Sequence, residues 1–237
     1  MPTFTSFSDL LPDPNNKINA AGVSDSAGSA GPGFAKIKFR SSNQVQVSRT
    51  ISGRGVTASP GFHSWEFDIN YNPMTRAEFE PVSTFLESRQ GRLKPFYVIL
   101  PQHAAPQNAA FATNTLTAAA ATSAGSPTLL IAGAVNGEPT PGDFFTITDS
   151  ADVNHKKTYK VIRVETPTTY QTGTTAPSTN QRRLWTQPPM SRAVSSGATI
   201  NFVNPQFRVI QKSDVVEYDL DTDNLYQFSL SLEEIQP

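Results

Sequence analysis

Apolar and polar residues alternate one for one in HSWEFDINY, residues 63–71. Trp65, Phe67, Ile69 and Tyr71 fall on one side and Ser64, Glu66, Asp68 and Asn70 on the other. A period of two is that of a β-strand whose single apolar face covers a core. FAKIKF has the same period, with Ile37 and Phe39 set between Lys36, Lys38 and Arg40, and QVQVSRTI repeats it with Val45, Val47 and Ile51. The stretch SGRGVTASPG that follows carries the residues of a loop. Near the other end, QFRVIQ, DVVEYDL and NLYQFSLSLEEI return to the one-sided pattern, with Tyr226, Phe228, Leu230 and Leu232 in a row. Residues 221–224 are placed to turn the last two of these strands into a hairpin.

One segment breaks the period. In MTRAEFEPVSTFLESRQG, Thr75 and Glu78 form a capping box, and Met74 and Phe79 take the positions of a hydrophobic staple. Phe79, Val82, Phe85 and Leu86 recur at helical spacing, and Gly91 offers a stop, which predicts one helix over about residues 75–90. Pro81 removes a backbone donor inside it, so a kink or a first turn that is not α-helical is expected. The next run, PFYVILP, is apolar on both faces and predicts a strand through Phe96 and Tyr97 covered on two sides, by this helix or by another subunit.

The remaining segments set the domain plan. Residues 1–33, with Pro12, Pro14 and a Gly/Ala/Ser run, hold too little apolar material for a core and read as an extended arm. That arm either touches nothing or docks on a neighbouring subunit through Phe4, Phe7, Leu10 and Leu11. Residues 102–127 are rich in Ala, Thr and Ser and read as a linker, although TLTAAAA could form a short strand or a helical turn. Beyond it, TLLIAGAV, DFFTITD, KTYKVIRVE and ATINF are short strands separated by turn signals, the pattern of a small antiparallel barrel or sandwich over 128–204. The expected fold is therefore mainly β: a discontinuous sandwich from 34–101 and 205–237, one packed helix, and a smaller β-domain inserted between.

Composition narrows the partners. With 19 basic and 20 acidic side chains in 237 residues, the net charge of -1 gives no long-range pull toward nucleic acid or an anionic membrane, and protein partners are expected. There is no cysteine, so disulfides, thiolate metal sites and thiol nucleophiles are excluded. No apolar run reaches the length of a membrane span. The start, MPTFTSFSDLLPDPNN, lacks a basic stretch followed by an apolar one, so synthesis in a cytoplasm is expected. A charged fraction of 16% beside 19 Pro and 14 Gly suits short strands joined by many loops.

Candidate chemistry is sparse. His63, His103 and His155 share no ligand spacing, and no nucleophile elbow, zinc-protease or phosphate-loop motif occurs. Asp219, Asp221 and Asp223 are spaced like calcium ligands, but Asn224 and Leu230 stand where that loop needs glycine and glutamate. Glu78 with Glu80, and Glu233 with Glu234, are paired carboxylates without a sign of burial, so neither catalytic nor cofactor-binding residues are assigned. Arg182, Arg183, Leu184 and Trp185 form either a basic and aromatic patch for sugar or nucleic acid, or a core or interface ring flanked by solvated arginines; the neutral net charge favours the second.

These elements together resemble a bacteriophage tail family, the distal tail proteins and related baseplate ring proteins. The resemblance rests on HSWEFDINYNPMTRAEFEPVSTFLESRQGRLKPFYVILP, on DFFTIT, TYKVIRV and QPPMSRAVSSGATINF, and on the closing YQFSLSLEE, about two thirds of the chain. The long N-terminal segment and Pro81 depart from the simplest form of that pattern. The resemblance implies a virion structural protein without enzymatic activity, cofactor or membrane insertion. Its β-sandwich would close into a hexameric ring at the tail tip or baseplate, with the inserted domain displayed outward, joining the tail tube to hub or host-recognition parts. Trp65, Phe67, Phe79, Phe85, Phe96 and Tyr97 are then the candidates for core or ring packing. The alternative is a tail module that binds carbohydrate or a fibre, with Tyr159, Tyr170 and Trp185 as outward contacts.

Overall fold

A computed structural model of the chain describes residues 8–15, 17–18, 22, 24–25, 31–58, 63–221 and 223–237. In chain order the strands and helix begin with β1 (Lys17–Ile18), β2 (Ser24–Asp25), β3 (Phe34–Asn43), β4 (Gln46–Arg49), β5 (Gly55–Ala58), β6 (His63–Tyr71), α1 (Arg76–Arg89) and β7 (Phe96–Ile99). There follow β8 (Leu116–Ala118), β9 (Thr128–Ala132), β10 (Phe144–Thr148), β11 (Thr158–Glu165), β12 (Gln181–Gln187) and β13 (Thr199–Asn201), and finally β14 (Gln206–Gln211), β15 (Tyr218–Leu220) and β16 (Tyr226–Glu234). The fold is mainly β. Its described residues form two compact units, one made of those up to Val98 together with Arg208–Ile235, the other of Ile99–Phe207 with Gln236–Pro237.

The first unit is built on a sheet ordered β3-β6-β16-β14-β7, with β15 added beside β16. The period-two pattern fixes its register: Phe39 lies opposite Phe67 and Phe67 opposite Leu232, while Ile37, Ile69 and Leu230 form the next row. Trp65, Phe67, Ile69 and Tyr71 are all buried on one face. On the other face Arg40 meets Asp68 at 2.7 Å, and the Lys212 ammonium meets Glu66 at 2.6 Å. The hydrogen bond from Lys212 holds the Glu66 carboxyl below its ordinary range. Among the described residues β3 is one margin of this sheet, and Ile37 and Phe39 are accordingly only half-buried.

The second expected strand behaves differently. Instead of joining the sheet, residues 46–49 pair with 55–58, part of the stretch expected to be loop, in a separate two-stranded ribbon. A compact turn makes this pairing local: the Arg54 amide donates to Thr50 Oγ1 at 3.1 Å, and Gly53 takes a φ of 80° that a side chain would disfavour. All eight ribbon residues are exposed, and so are Val45 and Ile51.

Helix α1 starts as expected. The Glu78 carboxylate accepts from the Thr75 amide at 2.9 Å and from its hydroxyl at 2.8 Å, and Met74 and Phe79 are both buried. Its first turn is α-helical, the Phe79 amide donating to the Thr75 carbonyl at 3.0 Å, and the helix continues through Pro81. The carbonyl that Pro81 leaves without an amide belongs to Ala77, which is exposed, so water can satisfy it. Phe79, Val82, Phe85 and Leu86 are buried, Phe85 meeting Phe96 edge-on at 5.4 Å. The helix ends one residue earlier than its glycine suggests: Gln90 already has a φ of 56°, and Gly91 follows at 63°.

The described part of the N-terminal segment, expected either to touch nothing or to dock on a neighbouring subunit, contacts its own chain. Leu10 bridges Tyr97 in parallel, the Tyr97 amide donating to the Asp9 carbonyl at 2.7 Å and the Leu11 amide to the Tyr97 carbonyl at 2.9 Å. Leu11 is fully buried, the Tyr71 hydroxyl donates to the Pro12 carbonyl at 3.1 Å, and Arg89 pairs with Asp9 at 2.8 Å. A few residues thus dock on their own chain, through backbone pairing that composition does not reveal. Phe4 and Phe7 lie outside the described residues.

The second unit is a closed barrel of order β10-β11-β12-β9-β8-β13, every neighbouring pair antiparallel. Leu129, Ile131, Phe145, Ile147, Tyr159, Val161, Leu184 and Ile200 fill it. The Ala/Thr/Ser-rich stretch 102–127, expected as a linker, supplies strand β8 and buries Phe111, Leu116 and Ala118 in this core. Apart from Ala118 the alanines of this stretch stay exposed or half-buried, so its contribution to the core comes mainly from Phe111 and Leu116. QRRLWTQ, taken as a patch or a core ring with arginines, is strand β12, which buries Leu184 and Thr186 on alternate positions.

Candidate functional site

The six aromatic residues expected in core or ring packing divide unevenly. Trp65, Phe67, Phe79, Phe85 and Phe96 are buried within the sheet unit, whereas Tyr97 is half-buried and pairs through its backbone with the N-terminal segment. Five of the six are therefore occupied in holding their own unit. Surface available to a neighbour is carried in part by residues that periodicity alone ranked as core: Val45 before the ribbon, Val47 within it and Ile51 at its tip are exposed, Val47 to 66%, and so is Val56 from the stretch expected to be loop. A two-stranded ribbon without cover is marginal in water, and large apolar side chains left outside a core mark contact surfaces.

A second exposed strip lies at β15. Tyr218 and Leu220 are 52% and 55% exposed, although Tyr218 touches Phe79 at 4.8 Å, and Val215 before them is exposed as well. Between residues 213 and 225 the chain carries Asp214, Glu217, Asp219, Asp221 and Asp223 and no basic residue. Beside this strip is an open groove of about 280 Å³ lined by Ser213, Val215, Glu217, Phe228 and Leu230. At the expected turn the Asn224 amide donates to the Asp221 carbonyl at 2.9 Å and the Asp221 amide to the Leu225 carbonyl at 3.0 Å. The periodic pattern suggested a seven-residue strand here, but only Tyr218–Leu220 pairs.

In the barrel, the outward residues sort differently again. Tyr159 is fully buried, a correction to its expected outward role: its ring stacks on Phe145 at 5.6 Å, and its hydroxyl lies 2.8 Å from both His155 Nε2 and Ser191 Oγ. Tyr170 is 42% exposed. Trp185 is half-buried, and its indole donates to Glu165 Oε1 at 3.0 Å, with the Arg163 guanidinium 6.0 Å above the ring. Arg183 donates to the other oxygen of Glu165 at 2.8 Å. Burial pushes the Glu165 carboxyl up, but the Trp185 and Arg183 hydrogen bonds outweigh it and leave the group below its ordinary range. The basic and aromatic patch is thus largely spent on one buried carboxylate.

Glu78, Glu80 and Glu234 of the paired carboxylates and the buried histidine of the barrel are engaged by neighbours. Glu78 is bound into the helix cap and Glu80 to Arg76 at 3.1 Å, while buried Glu234 accepts from the Trp65 amide at 3.2 Å. Burial holds His155 below its ordinary pKa, against the Ala193 carbonyl and the nearby Asp152 and Asp149. Asp149 already accepts from the Ser195 and Ala151 amides, and Asp152 from Arg192 at 2.5 Å. Among the described residues no three His, Asp or Glu side chains converge to hold a metal ion, and no helix is long and apolar enough to cross a membrane.

No protein-family model matches the chain, and no curated protein is similar to it in sequence.

Proposed function

We propose that the chain is a structural subunit of a ring in a bacteriophage tail tip or baseplate, made in the host cytoplasm and joining the tail tube to hub or host-recognition parts. The observation that carries this reading is the ribbon β4–β5, whose apolar residues stand in water in the single copy. A surface of that kind is completed by another protein chain. The margin of the sheet at β3, which has one neighbour strand among the described residues, and the acidic strip at β15 support the same reading, because strands at a sheet margin are natural places for further pairing. The finer organisation belongs to the proposal too: a sandwich domain closing a hexamer and interrupted by the barrel. So does the absence of enzymatic activity and of a cofactor.

A second reading, a module binding carbohydrate or a fibre, draws on the exposed Tyr170. Trp185 supports it less, since its indole N–H is taken by Glu165 and Arg163 lies over its ring. The ring reading is tested by gold-labelled antibody against this chain on purified particles. Label at the tail tip or baseplate is the expected result; label absent from every particle would overturn it.

A further inference from the structure

The two exposed strips of the sheet unit are complementary in charge. Residues 44–58 carry Arg49 and Arg54 and no carboxylate, with Val45, Val47, Ile51 and Val56 exposed among them. Residues 213–225 carry five carboxylates and no base, with Val215, Tyr218 and Leu220 exposed among them. One strip is a projecting ribbon with Ile51 at its tip; the other borders an open groove whose wall includes Val215, Phe228 and Leu230. Each is exposed in the same copy, so neither covers the other within one chain.

We propose that the β4–β5 ribbon of one copy docks in the groove beside the acidic strip at β15 of a second copy, Ile51 and Val47 entering the groove while Arg49 and Arg54 face Glu217 on its wall and Asp219 and Asp221 of the strip. The inference rests on the ring reading above and names the contact that builds the ring. Two different patches of one chain that fit each other give a head-to-tail interface, which closes into a ring when the rotation between copies permits. The apolar tip supplies the affinity, and the opposite charges set partner orientation and a dependence on salt.

Because the native chain has no cysteine, single introduced thiols report the contact directly. Full-length Ile51→Cys and Val215→Cys variants are mixed and treated with a short bismaleimide, while native mass spectrometry records the assembly state. The expected result is an intermolecular product joining one of each variant, enriched over either variant alone and lost at high salt. In the charge series, Arg49→Glu with Arg54→Glu weakens self-association about tenfold or more, and adding Asp219→Lys with Asp221→Lys restores it. A multimer that forms without the mixed product, or that ignores the charge reversals, overturns the docking while the ring reading stands. A chain that stays monomeric at high concentration, yet is found by antibody at the tail tip, does the same. A monomer with no label on the particle removes both.

Discussion

The Phe79 ring lies nearly flat on that of Tyr226, centroids 4.5 Å apart and planes 12° from parallel. Tyr218 closes on the same ring at 4.8 Å, so one side chain of the first helical turn ties α1 to both β15 and β16. Stacked rings contribute beyond the area they bury.

Truncating Phe79→Ala should therefore cost the sheet unit about 3–5 kcal/mol. The chain has two tryptophans, Trp65 in the sheet unit and Trp185 in the barrel, so each unit carries its own reporter. Urea denaturation followed by Trp65 emission in a Trp185→Phe background reads the loss. A midpoint unchanged from the parent would show that the helix does not depend on this stack.

Gly91 offers a test of close packing. A Cβ there would sit 2.5 Å from Asp214 Oδ1 and 3.0 Å from its Cα, at a φ of +63°. Gly91→Ala should destabilise by more than the roughly 1–2 kcal/mol of left-handed strain alone. Gly125, at a φ of +80° with nothing within 4 Å, is the control that carries strain without collision. Equal losses in the two variants would show that Asp214 moves aside freely.

The buried carboxylate of the barrel predicts a further effect. Glu165→Gln keeps an acceptor for Trp185 but deprives Arg183, which retains the Thr175 carbonyl, of its charge partner, a loss of about 1.5–3 kcal/mol, that of a hydrogen bond to a charged group. Because the native pKa is depressed, the Glu165 contribution is present above about pH 4.3, the ordinary glutamate value, and is lost as pH falls through the lower native value. Thermal melting across acidic pH should show a drop that is smaller in Glu165→Gln, the remainder coming from other depressed carboxylates such as Glu66 and Asp149.

His155 acts on a different pH window. The buried imidazole resists protonation, so below about pH 6.5 the unfolded chain takes up a proton that the native barrel refuses. Stability should decline from there until the native pKa is reached. In His155→Asn the midpoint, read from Trp185 emission between about pH 7 and 5, should vary less with pH.

Where each residue's neighbours were close in sequence or set by strict alternation, the fold could be read directly. HSWEFDINY and YQFSLSLEE pair in register as their periods require, and Thr75, Glu78 and Phe79 mark the helix start. What escaped was decided by partners distant in the chain. Phe111, Leu116 and Ala118 look unremarkable until the barrel closes around them, and Leu10 and Leu11 gain their place from Tyr97 and from the Tyr71 and Arg89 contacts beside them. The exposed surface was the least legible part. Val45 and Val47 have the spacing of core residues, and only the pairing of 46–49 with 55–58 reveals that they point into water. Tyr159 failed in the opposite sense, since a tyrosine in a strand carries no sign of whether its hydroxyl finds His155 or solvent.

Every strand of the barrel has a neighbour on both flanks, whereas β3 has one among the described residues. Backbone amides along the barrel are therefore shielded around its whole circumference, and deuterium should enter them slowly. Along Phe34–Asn43 the amides facing away from β6 should exchange within the earliest time points, and the same peptide would go quiet once another strand is laid against it.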